Sequence, residues 1–206
     1  MHVSSHESRP RPRTQAERRA RTRAALLEAG ARGFSRYGYG NVVLEKVAAD
    51  AGYTRGALYH LFTGKEELAL AVVEWVAENW EREVWEPAQR MRTPVDILVA
   101  LAKGHIVFCR RDIARVMMAL RVEFDGRQHP VGTKVADIGA DLTKRFGDVV
   151  AAGRRDGSIP PGPPATIVGA AITAGAEGLA IHLAGARHDE TMAERMVRGL
   201  LGVGAP

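Results

Sequence analysis

The chain contains 206 residues, of which 46% are hydrophobic and 26% are charged. This balance supplies enough apolar side chains for a substantial core and excludes a globally disordered protein. The single cysteine, Cys109, excludes an intramolecular disulfide and favours a reducing compartment. Residues 1–13 lack the apolar segment of a signal peptide, so we expect a cytoplasmic protein.

The excess positive charge lies near the N-terminus. Residues 1–23 carry seven arginines and two glutamates, a net charge of +5, which equals the formal net charge of the whole chain. Residues 24–206 are therefore neutral overall. A polyanionic partner such as DNA accounts for this concentration of charge, and the alternative is a solvated basic tail without a partner.

The first predicted elements are a basic arm and a long helix. Within residues 1–13, Pro10 and Pro12 alternate with arginines, which disfavours a helix and predicts a disordered arm. Such an arm either follows DNA phosphates or a minor groove, or remains a free tail. Thr14 and Glu17 have the spacing of a capping box, so the first helix is predicted to begin at Thr14 and to end near Gly38.

Residues 43–62 predict two short helices joined by a tight turn. Leu44 and Val47 belong to the apolar face of the first helix. Gly52 can adopt the left-handed conformation that ends a helix, and Thr54 can cap the second helix through its hydroxyl group. This arrangement is typical of a helix-turn-helix, whose second helix enters the major groove of DNA.

The surrounding segment, roughly residues 14–75, resembles the DNA-binding domain of the TetR family of bacterial transcription regulators. The matching positions are Phe34, Gly38, Tyr39, Val47, Ala48, Ala51, Gly52, Gly56, Leu58, Tyr59, His60, Phe62, Lys65, Glu66, Glu67 and Leu68. The resemblance implies an N-terminal three-helix bundle that binds DNA. The implied DNA-binding residues are Thr54, Arg55, Gly56, Ala57, Tyr59, His60 and Lys65.

These implied contacts divide into two kinds. Phosphate contacts, which set affinity and register, are implied for Thr54, Tyr59, His60 and Lys65. Arg55 and Ala57 are the candidates for base readout, because arginine can bond a guanine edge and an alanine methyl group can touch thymine. Gly56 lets the backbone approach the groove. A core position for Tyr59 and a plain surface position for His60 are the alternatives.

Two positions depart from the family pattern. Val42 and Val43 stand where the family commonly has Thr or Ser before the second helix, so Asn41 is expected to supply the cap. Ala57 replaces a common Thr or Ser, which restricts its base readout to van der Waals contact.

A fourth helix is predicted from Thr63, because Thr63 and Glu66 have the spacing of a second capping box. Its free N–H groups and Lys65 together predict a phosphate site. The helix is expected to continue towards Trp85, with Pro87 as its stop.

The remaining sequence predicts further helices and no strand of useful length. A helix is expected to start at Thr93-Pro94, and others are expected at about 112–125, 131–156, 165–184 and 191–201. The run Ala165–Ala176 is judged too short to span a bilayer.

The predicted fold is all-α: an N-terminal three-helix bundle with a helix-turn-helix plus a larger C-terminal helical domain, about nine to ten helices in all, forming a homodimer. The expected divisions are 1–13 for a disordered basic arm, 14–62 for the DNA-binding domain, 63–86 for a connecting helix and 87–206 for a ligand-binding and dimerisation domain.

The dimer interface is assigned to small residues on one helix face. Ala170, Ala174 and Gly178 recur at i, i+4 and i+8, and small side chains let another helix approach closely. The resemblance implies a four-helix interface built from two C-terminal helices of each subunit. Packing within one chain is the alternative for the same pattern.

The resemblance to the TetR family also implies a small-molecule effector that binds among the middle helices. The candidate ligand-binding residues are Trp80, His105, Phe108, Met117, Met118, Arg121 and Phe124. Methionines and aromatic side chains form adaptable apolar walls, although each could equally belong to an ordinary core. Arg121 is expected either to meet an acidic ligand or to pair with Glu123 or Asp125. His105 and Cys109 share a helix face, but no further metal ligand is visible and no metal or cofactor is expected.

These patterns predict a transcriptional repressor that releases a near-palindromic DNA operator when an unknown effector binds. The alternative is a helix-turn-helix regulator without a small-molecule switch, such as an activator or an architectural protein. No catalytic constellation stands out, so an enzyme is not expected. A membrane-surface protein is not expected either, because the basic arm has no adjacent amphipathic helix with bulky apolar anchors.

Overall fold

The computed structural model describes residues 14–204, which form nine principal α-helices and no strand. The helices are α1 Gln15–Asn41, α2 Leu44–Asp50, α3 Arg55–Tyr59, α4 Lys65–Trp80, α5 Pro94–Phe108, α6 Val116–Glu123, α7 Pro130–Asp156, α8 Ala165–Leu183 and α9 Asp189–Leu201. The all-α prediction is confirmed. The predicted basic arm, residues 1–13, lies outside the described residues.

Local sequence signals set the ends of α1. The Thr14 hydroxyl accepts a hydrogen bond from the Glu17 backbone N–H at 3.2 Å, and the Glu17 carboxylate accepts one from the Thr14 N–H at 2.8 Å. This is the predicted capping box. Gly38 has a φ of 73°, which interrupts the helical conformation at the predicted position.

Two capping predictions are wrong. Helix α4 begins one residue late, at Lys65, because Thr63 donates its N–H and its hydroxyl to Glu67, both at 2.6 Å, rather than pairing with Glu66. Asn41 does not cap α2. Its side-chain amide instead donates to the Tyr37 carbonyl at 3.0 Å, inside the last turn of α1.

Pro87 also fails to stop the connecting helix. After Trp80 the chain continues as a π-helical turn, Glu81–Trp85, and a short α-helical turn, Glu86–Ala88. Pro87 comes two residues after Trp85, the end of the π-helical turn, and the helix ends one residue later, at Ala88.

Helices α7 and α8 cross in backbone contact. A Cβ built on Gly169 would lie 2.5 Å from the Gly147 nitrogen and 2.9 Å from the Thr143 carbonyl oxygen, so only glycine fits at this crossing. Glycines at both helices therefore fix how closely the two longest C-terminal helices pack.

The apolar helix that begins at Ala165 is longer than the run Ala165–Ala176 that the sequence analysis judged too short to span a bilayer. Helix α8 extends to Leu183, and its 19 residues are long and apolar enough to cross a bilayer by composition alone. Within the described residues, however, α8 packs against α5, α7 and α9, as a core helix of a bundle does.

The N-terminal bundle, α1–α3, is joined to the remaining helices through α1 and α4. Helix α1 packs against α4 and α6, and α4 also packs against α7. The apolar core is continuous across these contacts, from Leu26 and Phe34 in α1 to Leu120 in α6 and Val135 in α7.

Candidate functional site: an exposed helix-turn-helix and a central cavity

Helix α3 projects its polar side chains from the N-terminal bundle. Leu58 is its one fully buried side chain, whereas Arg55 and Tyr59 are exposed and Ala57 is half-buried. The Thr54 hydroxyl caps the helix by accepting a hydrogen bond from the Ala57 N–H at 3.3 Å. The helix-turn-helix prediction therefore agrees with the structure, and Tyr59 is not a core residue.

Arg55 is held above the surface by neighbours from the same motif. Its Nε lies 3.1 Å from a carboxylate oxygen of Glu45 on α2, and its guanidinium carbon lies 5.2 Å from the Tyr59 ring centre. Its side chain is 69% exposed, and exposed ion pairs contribute little stability. The guanidinium group can therefore exchange Glu45 for another partner at small cost.

His60 and Gly56 complete the exposed face of this segment, since both are solvent-exposed.

The DNA-binding residues predicted from the sequence do not include Lys46. Lys46 is exposed on α2, and its ammonium nitrogen lies 4.8 Å from the ring centre of exposed Tyr37. A lysine beside an exposed aromatic ring on the same surface is the signal that could have identified this pair.

Lys65 is engaged inside the protein. Its ammonium group donates to the carbonyl oxygens of Tyr39 and Gly40, each at 3.0 Å. It thereby ties the start of α4 to the end of α1. A phosphate contact by Lys65 stays a prediction, and any such contact would share the ammonium group with these two carbonyls.

Glu123 holds the same backbone segment from the opposite side. Its carboxylate oxygens accept hydrogen bonds from the Tyr39 N–H at 2.5 Å and the Gly40 N–H at 2.8 Å. We call residues Tyr39 and Gly40 the link, because they lie in the last turn of α1, between the interruption at Gly38 and the start of α2. Both peptide groups of the link are thus bound by charged side chains from α4 and α6.

A cavity of about 1120 Å³ lies between the middle helices. Six of the seven predicted ligand-binding residues line it. These are Trp80, His105, Phe108, Met117, Met118 and Arg121.

Phe124 is the exception among the predicted ligand-binding residues. It does not line this cavity, because its ring packs beside the link instead. The ring centre lies 4.2 Å from that of His129 and 5.1 Å from that of Tyr39.

The cavity reaches the N-terminal bundle directly. Arg32, Ser35 and Arg36 of α1 contribute to its wall, a contact that the sequence did not reveal because α1 lies far from the cavity helices along the chain. Glu177 of α8 was also missed. It is the one formally charged residue in the helix Ala165–Leu183, and a single carboxylate in an apolar helix could have identified it as a candidate site residue.

Arg121 pairs across the cavity wall with Glu177. One guanidinium nitrogen donates to both carboxylate oxygens, at 3.1 Å and 2.8 Å. The predicted pairing of Arg121 with Glu123 or Asp125 is wrong. Glu123, two positions further along the helix, points away from Arg121 and binds the link, and Asp125 lies beyond the end of α6.

His105 is a neutral group within this wall. Its Nδ1 accepts a hydrogen bond from the Trp80 indole N–H at 3.1 Å, so the ring proton resides on Nε2, which lies 3.6 Å from the Cys109 sulfur. Burial lowers the pKa of His105 from 6.5 to about 4. The imidazole therefore carries no charge at neutral pH.

Cys109 is suited to packing rather than to redox chemistry. Burial raises the pKa of its thiol to about 11, which suppresses the reactive thiolate. Among residues 14–204 no three His, Cys, Asp or Glu side chains are grouped to hold a metal ion.

The predicted dimer residues lie on the outer side of α8. Ala174 is exposed, and a Cβ built on Gly178 would meet nothing within 4 Å. Ala170 is half-buried. Ile167 and Ile181 each lie about one turn beyond the ends of this stripe and are 60% and 53% exposed, and Ile181 also lines the cavity. This face of α8 is therefore apolar and uncovered within the chain.

The N-terminal bundle matches a known family. Residues 26–72 match the model described as bacterial regulatory proteins, tetR family. Residues 26–72 are thus similar to the N-terminal region of the TetR family.

One curated relative and two solved structures are also similar to this chain. The HTH-type transcriptional regulator CymR of Pseudomonas putida is 41% identical over 70 residues, which are 34% of this chain and 34% of CymR. The match thus spans about a third of the length of that relative.

The TetR fold covers the rest of the chain. A TetR regulator from Chloroflexus aurantiacus superposes with a TM-score of 0.74 and 23% identity, covering 90% of this chain and 94% of that one. AibR, solved with isovaleryl coenzyme A and operator DNA, superposes with a TM-score of 0.70 and 20% identity, covering 89% of this chain and 100% of AibR. At these identities the likeness establishes the fold.

The neutral His105 predicts a pH dependence of stability. The unfolded chain binds a proton at this residue near pH 6.5, whereas the folded chain resists it down to about pH 4. The free energy of unfolding should therefore fall as the pH drops from 6.5 to 4. The fall should exceed that of a His105→Gln variant by up to about 3 kcal/mol, because each pKa unit corresponds to about 1.4 kcal/mol.

Urea unfolding of both proteins at several pH values measures this difference. Carboxylates titrate in both proteins and cancel in the comparison. Parallel pH profiles for the two proteins would show that His105 accepts a proton in the folded state without a penalty.

Proposed function

We propose that this protein is a transcriptional repressor of the TetR family that binds operator DNA through α3 and releases it when a small molecule enters the central cavity. The main support for this proposal is that the same chain has an exposed recognition helix and a large cavity, and that the wall of this cavity includes α1 of the N-terminal bundle. A regulator without an effector would have no use for a cavity of this size beside the bundle.

The DNA contacts follow from the exposed face of α3. Arg55 is the base-reading residue, because its guanidinium group is exposed and only weakly held by Glu45. Tyr59, His60 and the Thr54 cap lie at the same surface and contact phosphates, with Gly56 allowing close approach. Ala57 contributes apolar contact. The added surface candidate is Lys46 on α2.

The effector cavity is bounded by residues that can adapt to an apolar molecule. Met117, Met118 and Phe108 supply flexible or flat apolar walls. AibR, whose fold this chain shares, has been solved with both an acyl-coenzyme A and operator DNA. That precedent supports the view that a chain of this fold can have one site for an effector and another for operator DNA.

Homodimerisation would present two copies of α3 to a near-palindromic operator. The apolar outer face of α8 supports this, since Ala170, Ala174 and Gly178 allow close approach of a second helix. The exposed Ile167 and Ile181 lie beside that stripe and gain burial in such a contact.

Helix α6 provides the route from the cavity to the bundle. Met117, Met118 and Arg121 of α6 line the cavity, and Glu123 at its end binds the link. A ligand that displaces α6 must therefore either move the link or break two hydrogen bonds to a carboxylate. The effector acts only if it prefers the displaced arrangement, because equal affinity for both states shifts nothing.

Arg55→Ala tests the placement of the recognition helix. The variant should weaken binding to the operator by about 1–3 kcal/mol, because it removes a base contact. Fluorescence anisotropy with DNA that flanks the protein's own gene measures this effect. Arg187→Ala, which removes an exposed arginine before α9, is the matched control and should bind like the parent.

A parent-like affinity of Arg55→Ala on every flanking fragment would show that α3 does not read the DNA. Lys65→Ala should weaken binding to all DNA sequences alike, because it removes a cation and loosens the link.

Glu123→Ala tests the route through α6. Loss of the two hydrogen bonds to the link should lower operator affinity about tenfold without any effector, since the bundle is no longer fixed against α6. Glu190→Ala is the control, because it removes an exposed carboxylate that pairs with Arg110 in the C-terminal region. Equal operator affinity for Glu123→Ala and the parent would remove the link from the mechanism.

Ala174→Glu tests the dimer face. A charge in the centre of the apolar stripe should convert a dimer to a monomer, because the carboxylate would be buried without a partner. Sedimentation velocity measures the mass, and circular dichroism verifies that the helices remain. Ala20→Glu on the exposed surface of α1 serves as control. A dimer that persists in Ala174→Glu would place the interface elsewhere.

A further inference from the structure

The part of the cavity wall around His105 carries no charge. It is formed by Trp80 of α4, by His105, Phe108 and Cys109 of α5, and by Met117 of α6. At neutral pH the imidazole and the thiol are both uncharged, because burial lowers the pKa of one to about 4 and raises that of the other to about 11. An ion placed here would lose its hydration without gaining an opposite charge.

The two arginines that are best placed to attract an anion are already neutralised. Arg121 is bound by both oxygens of Glu177, and Arg145 donates to both oxygens of Glu81 at 2.8 Å each. Arg145 also stacks on the Trp85 ring at 3.6 Å. A carboxylate ligand would have to displace a resident carboxylate, which would leave that group without its cation.

The other charged lining residues give no net attraction for an anion. Arg32 and Lys134 bind Glu28 and Glu74 at 2.7 Å and 2.9 Å. The remaining charged residues of the lining are exposed, and they include both arginines and aspartates. They are Arg36, Arg115, Asp112, Asp137 and Asp141.

One polar atom in the uncharged wall lacks a strong partner. Since Nδ1 of His105 accepts from Trp80, its Nε2 must donate, and the acceptor in reach is the Cys109 sulfur at 3.6 Å. A thiol sulfur is a weak acceptor. A ligand oxygen would be a stronger one. Because the Trp80 N–H is already bound to His105, the donor that this wall offers a ligand is Nε2 of His105, and the wall favours a hydrogen-bond acceptor.

From these contacts we infer that the effector is an uncharged, mainly apolar molecule whose carbonyl or ether-type oxygen accepts a hydrogen bond from Nε2 of His105. The inference rests on the proposed effector cavity and adds the chemical class of its ligand. Met117, Met118 and Phe108 enclose the apolar part of the molecule. The ion pair between Arg121 and Glu177 stays intact and forms part of the wall.

Two probes of matched shape test this class. 2-Nonanone and octanoate share the same alkyl chain and carbonyl group, but octanoate is ionised at neutral pH. Isothermal titration calorimetry should show the ketone binding at least about tenfold more tightly than the carboxylate. Equal or tighter binding of octanoate, or no binding of either probe, would overturn the inference.

Variants of the proposed donor and its neighbour sharpen the test. His105→Phe should lower ketone affinity by about five- to tenfold, as expected for a lost hydrogen bond. Cys109→Ser should also weaken the ketone, because a hydroxyl group competes for the Nε2 proton. Cys109→Ala removes the competing sulfur and should bind the ketone as tightly as the parent or more tightly.

Weaker ketone binding in Cys109→Ala than in Cys109→Ser would contradict the proposed contact even if His105→Phe fails to fold. Calorimetry is performed without DNA, and operator binding is measured without the ketone. If DNA binds but the carboxylate is preferred, the ligand class alone fails. If the ketone binds but no flanking DNA does, the regulatory function alone fails.

Discussion

The link at Tyr39 and Gly40 is the constraint on which the arrangement of the molecule depends. Its two N–H groups bind Glu123 of α6, and its two carbonyl groups bind Lys65 of α4. Gly38 makes this possible in two ways: it takes a φ of 73°, and a Cβ there would lie 2.7 Å from a Glu123 oxygen. Charged groups thus satisfy all four polar atoms of an irregular segment between two packed helices.

This constraint explains why the cavity and the recognition helix belong to one mechanical unit. Helix α1 ends at the link and contributes to the cavity wall, while α2 and α3 follow directly from it. Helix α6 carries cavity residues and ends in the carboxylate that holds the link. A displacement of α6 therefore cannot be absorbed in a flexible loop, because the neighbouring peptide groups are bound from two sides.

The sequence predicted those features that depend on neighbouring residues. The Thr14 cap, the interruption at Gly38 and the Thr93-Pro94 start each follow from a few adjacent side chains, and all are present. The helix-turn-helix and its exposed face were also predictable, because apolar spacing separates Leu58 from Arg55 and Tyr59. The Thr63 cap failed because Glu66 and Glu67 both suit a helix start and only the three-dimensional arrangement selects between them.

Contacts between helices that are far apart along the chain could not be predicted from the sequence. Helix α8 shows how such contacts bear on function. Glu177 points into the cavity towards Arg121, which is 56 residues earlier, whereas Ala174 and Gly178 face outward. The helical periodicity predicted that the small residues share one face of α8. It could not predict that Glu177, on another face of the same helix, pairs with Arg121. The same helix thus forms a cavity wall on one side and the proposed dimer face on the other. Because a rigid helix moves as a whole, any ligand that shifts Glu177 would also change the angle between two dimerised chains, and so the spacing of their recognition helices.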